Sequence, residues 1–151
     1  MTSVLMSAIE LAAIFFIYSL LGWVIEVIYR SALAKKFIFP GLFKYLGKPI
    51  PLLPIYGFGA LLLLLLSSSI YALPLILRLL IYIIFLTLLE LAGSVFVIRF
   101  FGVRLWDYSS MPFNYRGHVS ALHSSYWLIG AFLFERIHPY IYQIVSAPWA
   151  P

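Results

Sequence analysis

Four long apolar segments dominate this chain and limit what it can fold into. They run from about Val4 to Tyr29, Leu52 to Tyr71, Leu75 to Ile98 and Val119 to Ile137, and each holds at most two residues of the Asp, Glu, Lys and Arg types. A helix needs about 20 mostly apolar residues to cross the hydrocarbon core of a bilayer. The sequence therefore predicts an all-α polytopic membrane protein, a four-transmembrane-helix bundle forming a single transmembrane domain over residues 1–151.

The composition agrees with a surface that faces hydrocarbon. Of the 151 residues, 64% are hydrophobic and 10% are charged, whereas a soluble domain carries about 25% charged residues. The sequence contains no cysteine, which excludes disulfides and cysteine-ligated zinc or iron–sulfur sites. The start of the chain has neither a positive n-region nor a small-residue cleavage site, so it is interpreted as a retained span and not a signal peptide.

The basic residues are concentrated in two of the loops that join the apolar segments. Loop 1, Arg30 to Pro51, and loop 3, Arg99 to His118, contain eight Lys and Arg residues, while Arg78 and Arg136 lie on the other side. Because cytoplasmic loops are enriched in Lys and Arg, both loops are predicted to be cytoplasmic, with both termini outside. The net charge of +5 is explained by this topology, and no nucleic-acid partner is predicted.

Proline and glycine indicate how the segments end and pack. Residues 138–151 are too short to span again and are expected to form an interfacial tail, in which Pro139 and Pro148 limit any helix. Gly57 and Gly59 are expected to permit close helix contact or a bend. The two halves of the chain are either related helical hairpins or two unrelated pairs that look alike at this level.

Acidic side chains within the apolar segments are candidates for function, since an ionisable group in a bilayer is costly unless it is paired or hydrated. Glu26 and Arg30 stand four residues apart, share a helix face and can pair directly. Glu90 lies deeper, and both acids are predicted to lie in the cytoplasmic half. The predicted ligand-binding residues are Trp23, Glu26, Arg30, Glu90, Arg99, Arg104, Asp107 and Asn114. The alternative is a structural ion-pair network that fixes helix register.

Loop 3 contains the mixed polar and aromatic sequence RLWDYSSMPFNYRGH, residues 104–118. Its Arg side chains and backbone donors would suit a phosphate- or carboxylate-bearing ligand, and ordinary binding to lipid headgroups is the alternative. Glu135 and His138 have the Glu-x-x-His spacing of di-iron bundles, but only one such motif is present, so no metal is predicted. No phosphate-binding GxxxxGK[ST] sequence and no recognisable nucleophile arrangement occurs, and no cofactor is predicted.

Several longer motifs carry a family resemblance that extends over roughly residues 18–139. They are LGWVIEVIYR (21–30), PIYGFGALL (54–62), the pair Leu89 and Glu90, FGVRLWDYS (101–109), PFNYRG (112–117) and the pair Ser125 and Trp127. The chain resembles the bacterial CmpB-like family of membrane proteins labelled "putative ABC-transporter type IV". The resemblance implies the membrane component of a transporter, and its motifs include Glu26, Arg30, Glu90, Arg104, Asp107 and Asn114.

Three functions are therefore open at this point. The first is a non-enzymatic, multi-pass subunit of a transporter in the cell membrane, with a polar pocket facing the cytoplasm. It would require a homodimer or a partner subunit, and any ATPase would be a separate chain. The second is a lipid-acting enzyme that uses the carboxylates and arginines. The third is a structural or regulatory membrane protein.

Overall fold

The computed structural model describes residues 6–39 and 52–146. Within these ranges the chain forms four α-helices and one short antiparallel ladder: α1 (Ala8–Ala34), α2 (Pro54–Ile70), α3 (Leu75–Phe101), β1 (Asn114–Tyr115), β2 (Val119–Ser120) and α4 (Ala121–Ser146). The predicted all-helical class is confirmed for the described residues, except that the ladder was not predicted. The part of loop 1 that holds Lys44 and Lys48 lies outside the described residues.

Two of the described helices, α1 and α3, are long and apolar enough to cross a membrane, and α2 is apolar but shorter. Each of the two has 27 residues, a length of about 40 Å at 1.5 Å per residue, against a hydrocarbon core of about 30 Å. The sequence predicted four membrane-spanning helices, and for the other two helices this stays a prediction.

The chain divides into two compact units, and helices α2 and α4 each continue from one unit into the other. One unit comprises Met1–Leu61 and Pro139–Pro151, and the second comprises Leu62–His138. The contacts below are described within each unit. The prediction of a single domain is not tested by this division.

Helix α1 begins with a capping box that the sequence prediction missed. The Ser7 hydroxyl accepts a hydrogen bond from the Glu10 backbone N–H at 3.2 Å, and a Glu10 carboxylate oxygen accepts one from the Ser7 N–H at 2.7 Å. These two bonds satisfy donors that a helix N-terminus otherwise leaves unpaired. Glu10 therefore has a local capping role, although its side chain is buried.

Helix α1 and the start of α2 pack closely because Gly57 has no side chain. A Cβ at this position would overlap the Ser19 hydroxyl and both the ring and the carbonyl oxygen of Phe15. The Leu53 N–H donates to the Ser19 carbonyl oxygen at 3.1 Å, and the rings of Phe15 and Phe58 meet edge to face with centroids 4.9 Å apart. The prediction that Gly57 permits a close helix contact is confirmed.

Substituting Gly57→Ala is expected to lower the free energy of unfolding by about 2 kcal/mol, because overpacking a tight contact costs about 1–3 kcal/mol. The measurement is the unfolding midpoint in detergent. Gly130→Ala is the matched control, since the nearest atom to a Cβ there is a Trp127 ring carbon at 4.0 Å. The control should be neutral or slightly stabilising, because Ala favours a helix over Gly. Equal losses in the two variants would contradict the close contact at Gly57.

The prediction that Pro139 limits the last helix is wrong, since α4 continues through it to Ser146. Proline removes one backbone N–H and therefore one helical hydrogen bond. Ile141 and Val145, which follow the proline, are both buried. Burial of these two side chains stabilises the helix after Pro139. This tertiary packing outweighs the tendency of proline to end a helix.

Candidate functional site at Glu90

Glu90 is a buried carboxylate in the middle of an apolar helix. The buried residues of α3 are Tyr82, Leu86, Glu90 and Ser94, which recur every four residues and so define one face. Glu90 is only 4% exposed. Its Oε1 atom accepts a hydrogen bond from the Tyr108 hydroxyl at 3.0 Å, and its Oε2 atom accepts one from the Trp127 indole N–H at 2.9 Å. A carboxylate at such a position is stabilised by donors from two other parts of the chain.

The donor Tyr108 comes from a folded hairpin, residues 102–120, which forms most of loop 3. The Ser94 hydroxyl and the Nδ1 atom of His118 are hydrogen-bonded at 2.8 Å, which adds a second contact between the hairpin and α3. The Trp106 indole N–H donates to the His118 carbonyl oxygen at 2.8 Å, and β2 lies against α3. Hairpin 102–120 is therefore an ordered element next to Glu90.

The Tyr108 ring is itself held in place by His123 at the start of α4. The two rings stack with centroids 3.8 Å apart and planes inclined by 17°. The Nδ1 atom of His123 is 2.7 Å from the Ser120 hydroxyl, which also accepts from the His123 backbone N–H at 3.3 Å. Ser120 thus caps α4 and orients the histidine at the same time.

Two of the predicted ligand-binding residues, Arg104 and Asp107, brace this hairpin. The Asp107 Oδ1 atom accepts from the Ser109 backbone N–H at 2.9 Å and from Arg104 Nη1 at 3.2 Å. Arg104 Nη1 also donates to the Arg116 carbonyl oxygen at 3.3 Å. Both side chains therefore have structural contacts within the hairpin.

Asn114, a third predicted ligand-binding residue, has the same kind of role. Its amide nitrogen donates to the carbonyl oxygens of Ser109 and Met111, at 3.2 and 2.7 Å. Its amide oxygen accepts from the Gly117 N–H at 3.0 Å. Gly117 has a φ of +74°, and a Cβ there would overlap Asp107 and Arg104, so only glycine fits.

The hydrogen bond from the Ser109 backbone N–H, with a further contribution from Arg104, lowers the pKa of Asp107 below its usual value of 3.8. Because the pKa is lower in the folded protein, the stabilisation by Asp107 is complete above pH 3.8 and is lost as pH falls through the folded value. We expect the protection of the hairpin amides, relative to the exchange rate of an unstructured peptide at the same pH, to decrease in acid below the folded pKa of Asp107, and Asp107→Asn to remove this decrease. Hydrogen exchange of both proteins at matched pH tests it, and identical pH profiles would contradict it.

Arg99, which was predicted as a ligand-binding residue together with Glu90, lies on a different face of α3. It follows Glu90 by nine residues, which is about half a turn around the helix at 100° per residue. Its side chain is exposed and lines an open apolar groove with Phe96 and Phe100. The structure therefore does not place Arg99 beside Glu90.

Glu26 forms a second cluster in the other unit. Its Oε2 atom is 2.6 Å from Arg30 Nε, which confirms the predicted pairing over four residues, and its Oε1 atom accepts from the Tyr56 hydroxyl at 3.2 Å. Trp23, one turn earlier, packs its ring against Phe39 with centroids 4.9 Å apart. Arg30 is exposed, so this cluster is open to solvent or headgroups on one side.

The sequence prediction missed Tyr108 and Trp127 as the partners of Glu90. Both residues lie in motifs that carried the family resemblance, and that was the available signal. Their contacts with Glu90 join residues 18 and 37 positions apart, which helical periodicity within one segment cannot reveal.

The fold and the site define a helical protein with two helices apolar enough to cross a membrane and a buried carboxylate under an ordered hairpin. The chain belongs to the family described as "Putative ABC-transporter type IV", which matches residues 13–149. The resemblance drawn from the motifs is thereby confirmed. Comparison with curated proteins and comparison with solved structures gave no significant match.

Proposed function

We propose that this chain is an integral protein of the cell membrane and the non-enzymatic membrane subunit of a transporter. The observation that carries the proposal is the buried carboxylate of Glu90 in a helix long enough to span. Charged side chains at such depth are costly and mark ion or substrate sites in membrane proteins. The family description points to the same class.

Burial along α1 and α3 supports the membrane location. Only 17% of the most apolar window of either helix is buried, whereas the core helix of a soluble protein is buried over most of its length. Large apolar side chains remain exposed on both helices, among them Ile28 and Phe100. Exposed apolar surface of this extent fits contact with lipid. The basic loops would then face the cytoplasm, with both termini outside.

Helix α4 is proposed to cross the membrane beside α3. Its residue Trp127 contacts Glu90, and its residue Glu135 contacts Tyr82. These two contacts mean that α4 runs antiparallel to α3 over about 12 Å, at 1.5 Å per residue. If α3 spans the bilayer, this part of α4 lies at the same depth. With α1 and α2, four spans result.

The site at Glu90 favours a small polar or cationic ligand. The site contains the Glu90 carboxylate, the Tyr108 phenol and the Trp127 indole N–H. The hydroxyls of Thr87 and Ser94 lie within about one helical turn of Glu90 along α3. A ligand that bears a phosphate or carboxylate would need a cationic side chain to bind to. The Arg104 guanidinium is already bonded to Asp107 within the hairpin. We therefore assign the cation-binding role to Glu90 and the cytoplasmic entrance to hairpin 102–120.

A transporter of this size needs further chains. Four helices are few for a complete transport path, so a homodimer or a partner subunit is required. Because the sequence has no phosphate-binding loop motif, ATP hydrolysis would have to come from a separate ATPase subunit.

Purification from native membranes combined with thermal unfolding tests this function. We expect a homodimer or an ATPase chain to co-purify. We also expect Na⁺, K⁺, ammonium or choline to raise the unfolding temperature of the wild type but not of Glu90→Gln, since a ligand that binds the native state stabilises it. Glu10→Gln is the control, because Glu10 is also buried but caps α1. A monomer without a partner and without any response to these ions would overturn the proposal.

A structural role is the second candidate, and the bonds of Arg104, Asp107 and Asn114 within the hairpin favour it. It predicts that Glu90→Gln changes stability while no ligand changes the unfolding temperature of either protein. Phospholipid turnover by the wild type but not by Glu90→Gln would instead favour the lipid-acting enzyme.

A further inference from the structure

Helices α3 and α4 carry the same three-residue pattern on the faces that meet. On α3 an aromatic residue, an apolar residue and an acid follow at intervals of four: Tyr82, Leu86 and Glu90. On α4 the pattern is the same with Trp127, Ala131 and Glu135. Residues four apart lie on one helix face. Each helix therefore presents an acid at one end of a stripe and an aromatic donor at the other.

The antiparallel arrangement pairs each acid with the aromatic donor of the other helix. Trp127 donates to Glu90 at 2.9 Å, and the Tyr82 hydroxyl donates to Glu135 at 3.0 Å. The seam between the helices thus has two carboxylate sites related by an approximate two-fold axis. Glu135, which the sequence analysis considered only for a metal motif, is the counterpart of Glu90.

Apolar residues separate the two carboxylates. Leu86 and Ala131 occupy the middle position of each stripe and are 1% and 0% exposed. Glu90 and Tyr82 are eight residues apart, so the two acid sites are separated by about 12 Å along the helix axis. A small, tightly packed apolar layer of this kind excludes water, and it closes the seam in the described conformation.

Other polar groups extend the seam at both ends. Beyond Glu90 lie Tyr108, stacked on His123, and the hydrogen-bonded pair Ser94 and His118. Between Leu86 and Glu90 along α3, the Thr87 hydroxyl donates to the Ser124 hydroxyl at 3.0 Å.

At the other end, Arg78 faces Glu135, with its Nε atom 3.1 Å from Oε1, and Arg78 Nη1 donates to the Tyr71 carbonyl oxygen at 2.9 Å. Ser94 and Arg78 are sixteen residues apart, about 24 Å along α3. Polar groups thus line most of the thickness of a hydrocarbon core, with one apolar interruption at Leu86 and Ala131.

We propose that the seam between α3 and α4 conducts protons, with Glu90 and Glu135 as the two exchanging carboxylates. A proton from the hairpin side converts the Glu90 carboxylate to the acid. Water molecules admitted when Leu86 and Ala131 separate accept this proton from Glu90 and pass an equivalent proton to the Glu135 carboxylate, which releases it on the other side. Both carboxylates return to their starting state, and no electrons move. The inference rests on the membrane location proposed above and adds an activity to it.

Proteoliposomes loaded with a pH-sensitive dye test this activity. A K⁺ gradient with valinomycin drives the protons, and the initial rate of lumen acidification is measured. We expect wild-type vesicles to acidify at least tenfold faster than protein-free vesicles. Glu90→Gln and Glu135→Gln should each fall to the protein-free rate. Glu10→Gln should retain the wild-type rate, because Glu10 caps α1 through Ser7.

A gain-of-function variant makes the test independent of variants that fold poorly. Leu86→Thr shortens the apolar layer and adds a hydroxyl that can hold water, so its rate should exceed that of the wild type several-fold.

Washing the proteoliposomes with alkaline carbonate, which removes proteins that are not embedded in the bilayer, tests the membrane location separately from the proton path. A protein that stays in the bilayer but conducts no faster than protein-free vesicles, or no faster than Glu90→Gln, overturns the proton path alone. A protein removed by the wash overturns the membrane location and the proton path together.

Discussion

Replacing Glu135 with alanine is expected to lower the free energy of unfolding by about 3 kcal/mol, since removing one partner of a partly buried ion pair leaves the other charge poorly compensated. Arg78 and Glu135 are each only 14% exposed. The Arg78 Nε atom is close to Glu135 but is not oriented to hydrogen-bond with it, so the attraction is mainly Coulombic. The same change removes the acceptor of the buried Tyr82 hydroxyl.

The double variant Arg78→Met with Glu135→Leu separates this charge effect from a loss of packing. Apolar residues of similar volume often replace a buried pair at little cost or with a gain, so the double variant should unfold within about 1 kcal/mol of the wild type. Unfolding midpoints of all three proteins, in one detergent and at one pH, decide the matter. A double variant less stable than Glu135→Ala would show that the uncompensated charge of Arg78 is not the cause of the loss in Glu135→Ala.

Local patterns in the sequence predicted what local geometry determines. The pairing of Glu26 with Arg30 depends only on the helical repeat, and it is confirmed at 2.6 Å. The pattern Ser-x-x-Glu at residues 7–10 had the same local basis, and the capping box could have been predicted from it. The close helix contact at Gly57 was also predicted correctly, because small residues in apolar helices allow neighbouring helices to approach closely.

Contacts between distant segments could not be predicted in the same way. Of the adjacent residues Ser124 and Ser125, Ser124 accepts a hydrogen bond from Thr87 on α3, while Ser125 donates to the Leu122 carbonyl of its own helix. The difference depends on the rotation of α4 against α3, which a single sequence does not report. Arg99 was grouped with Glu90 as a ligand-binding residue, but the helical repeat places it on the exposed face of α3.

The polar residues of loop 3 were interpreted as ligand contacts because Arg side chains and backbone donors suit a phosphate or a carboxylate. The structure gives them another use, since an ordered hairpin must satisfy its own backbone groups. Asp107 and Asn114 accept or donate five hydrogen bonds in this hairpin. Glu90, in contrast, is held from outside its own helix, which is why the functional proposals centre on it.

Replacing Glu90 with alanine is expected to lower the free energy of unfolding by about 3 kcal/mol, because two partly buried donors lose an acceptor at about 1–3 kcal/mol each. Glu90→Gln should cost about 1 kcal/mol or less. The glutamine oxygen can accept from the Trp127 indole, which only donates, while the Tyr108 hydroxyl can rotate to accept from the new amide. The glutamine variant therefore keeps the fold and removes the charge, which makes it the suitable variant for tests of function.

The comparison of these two variants also distinguishes a charge requirement from a packing requirement. Unfolding midpoints should rank the wild type and Glu90→Gln together, well above Glu90→Ala, while ion binding should group Glu90→Gln with Glu90→Ala. This opposite ordering is expected because hydrogen bonds hold the hairpin to α3, whereas the negative charge attracts the ligand. If Glu90→Gln were as unstable as Glu90→Ala, the carboxylate charge itself would stabilise the fold, and a role in binding would no longer be needed to explain it.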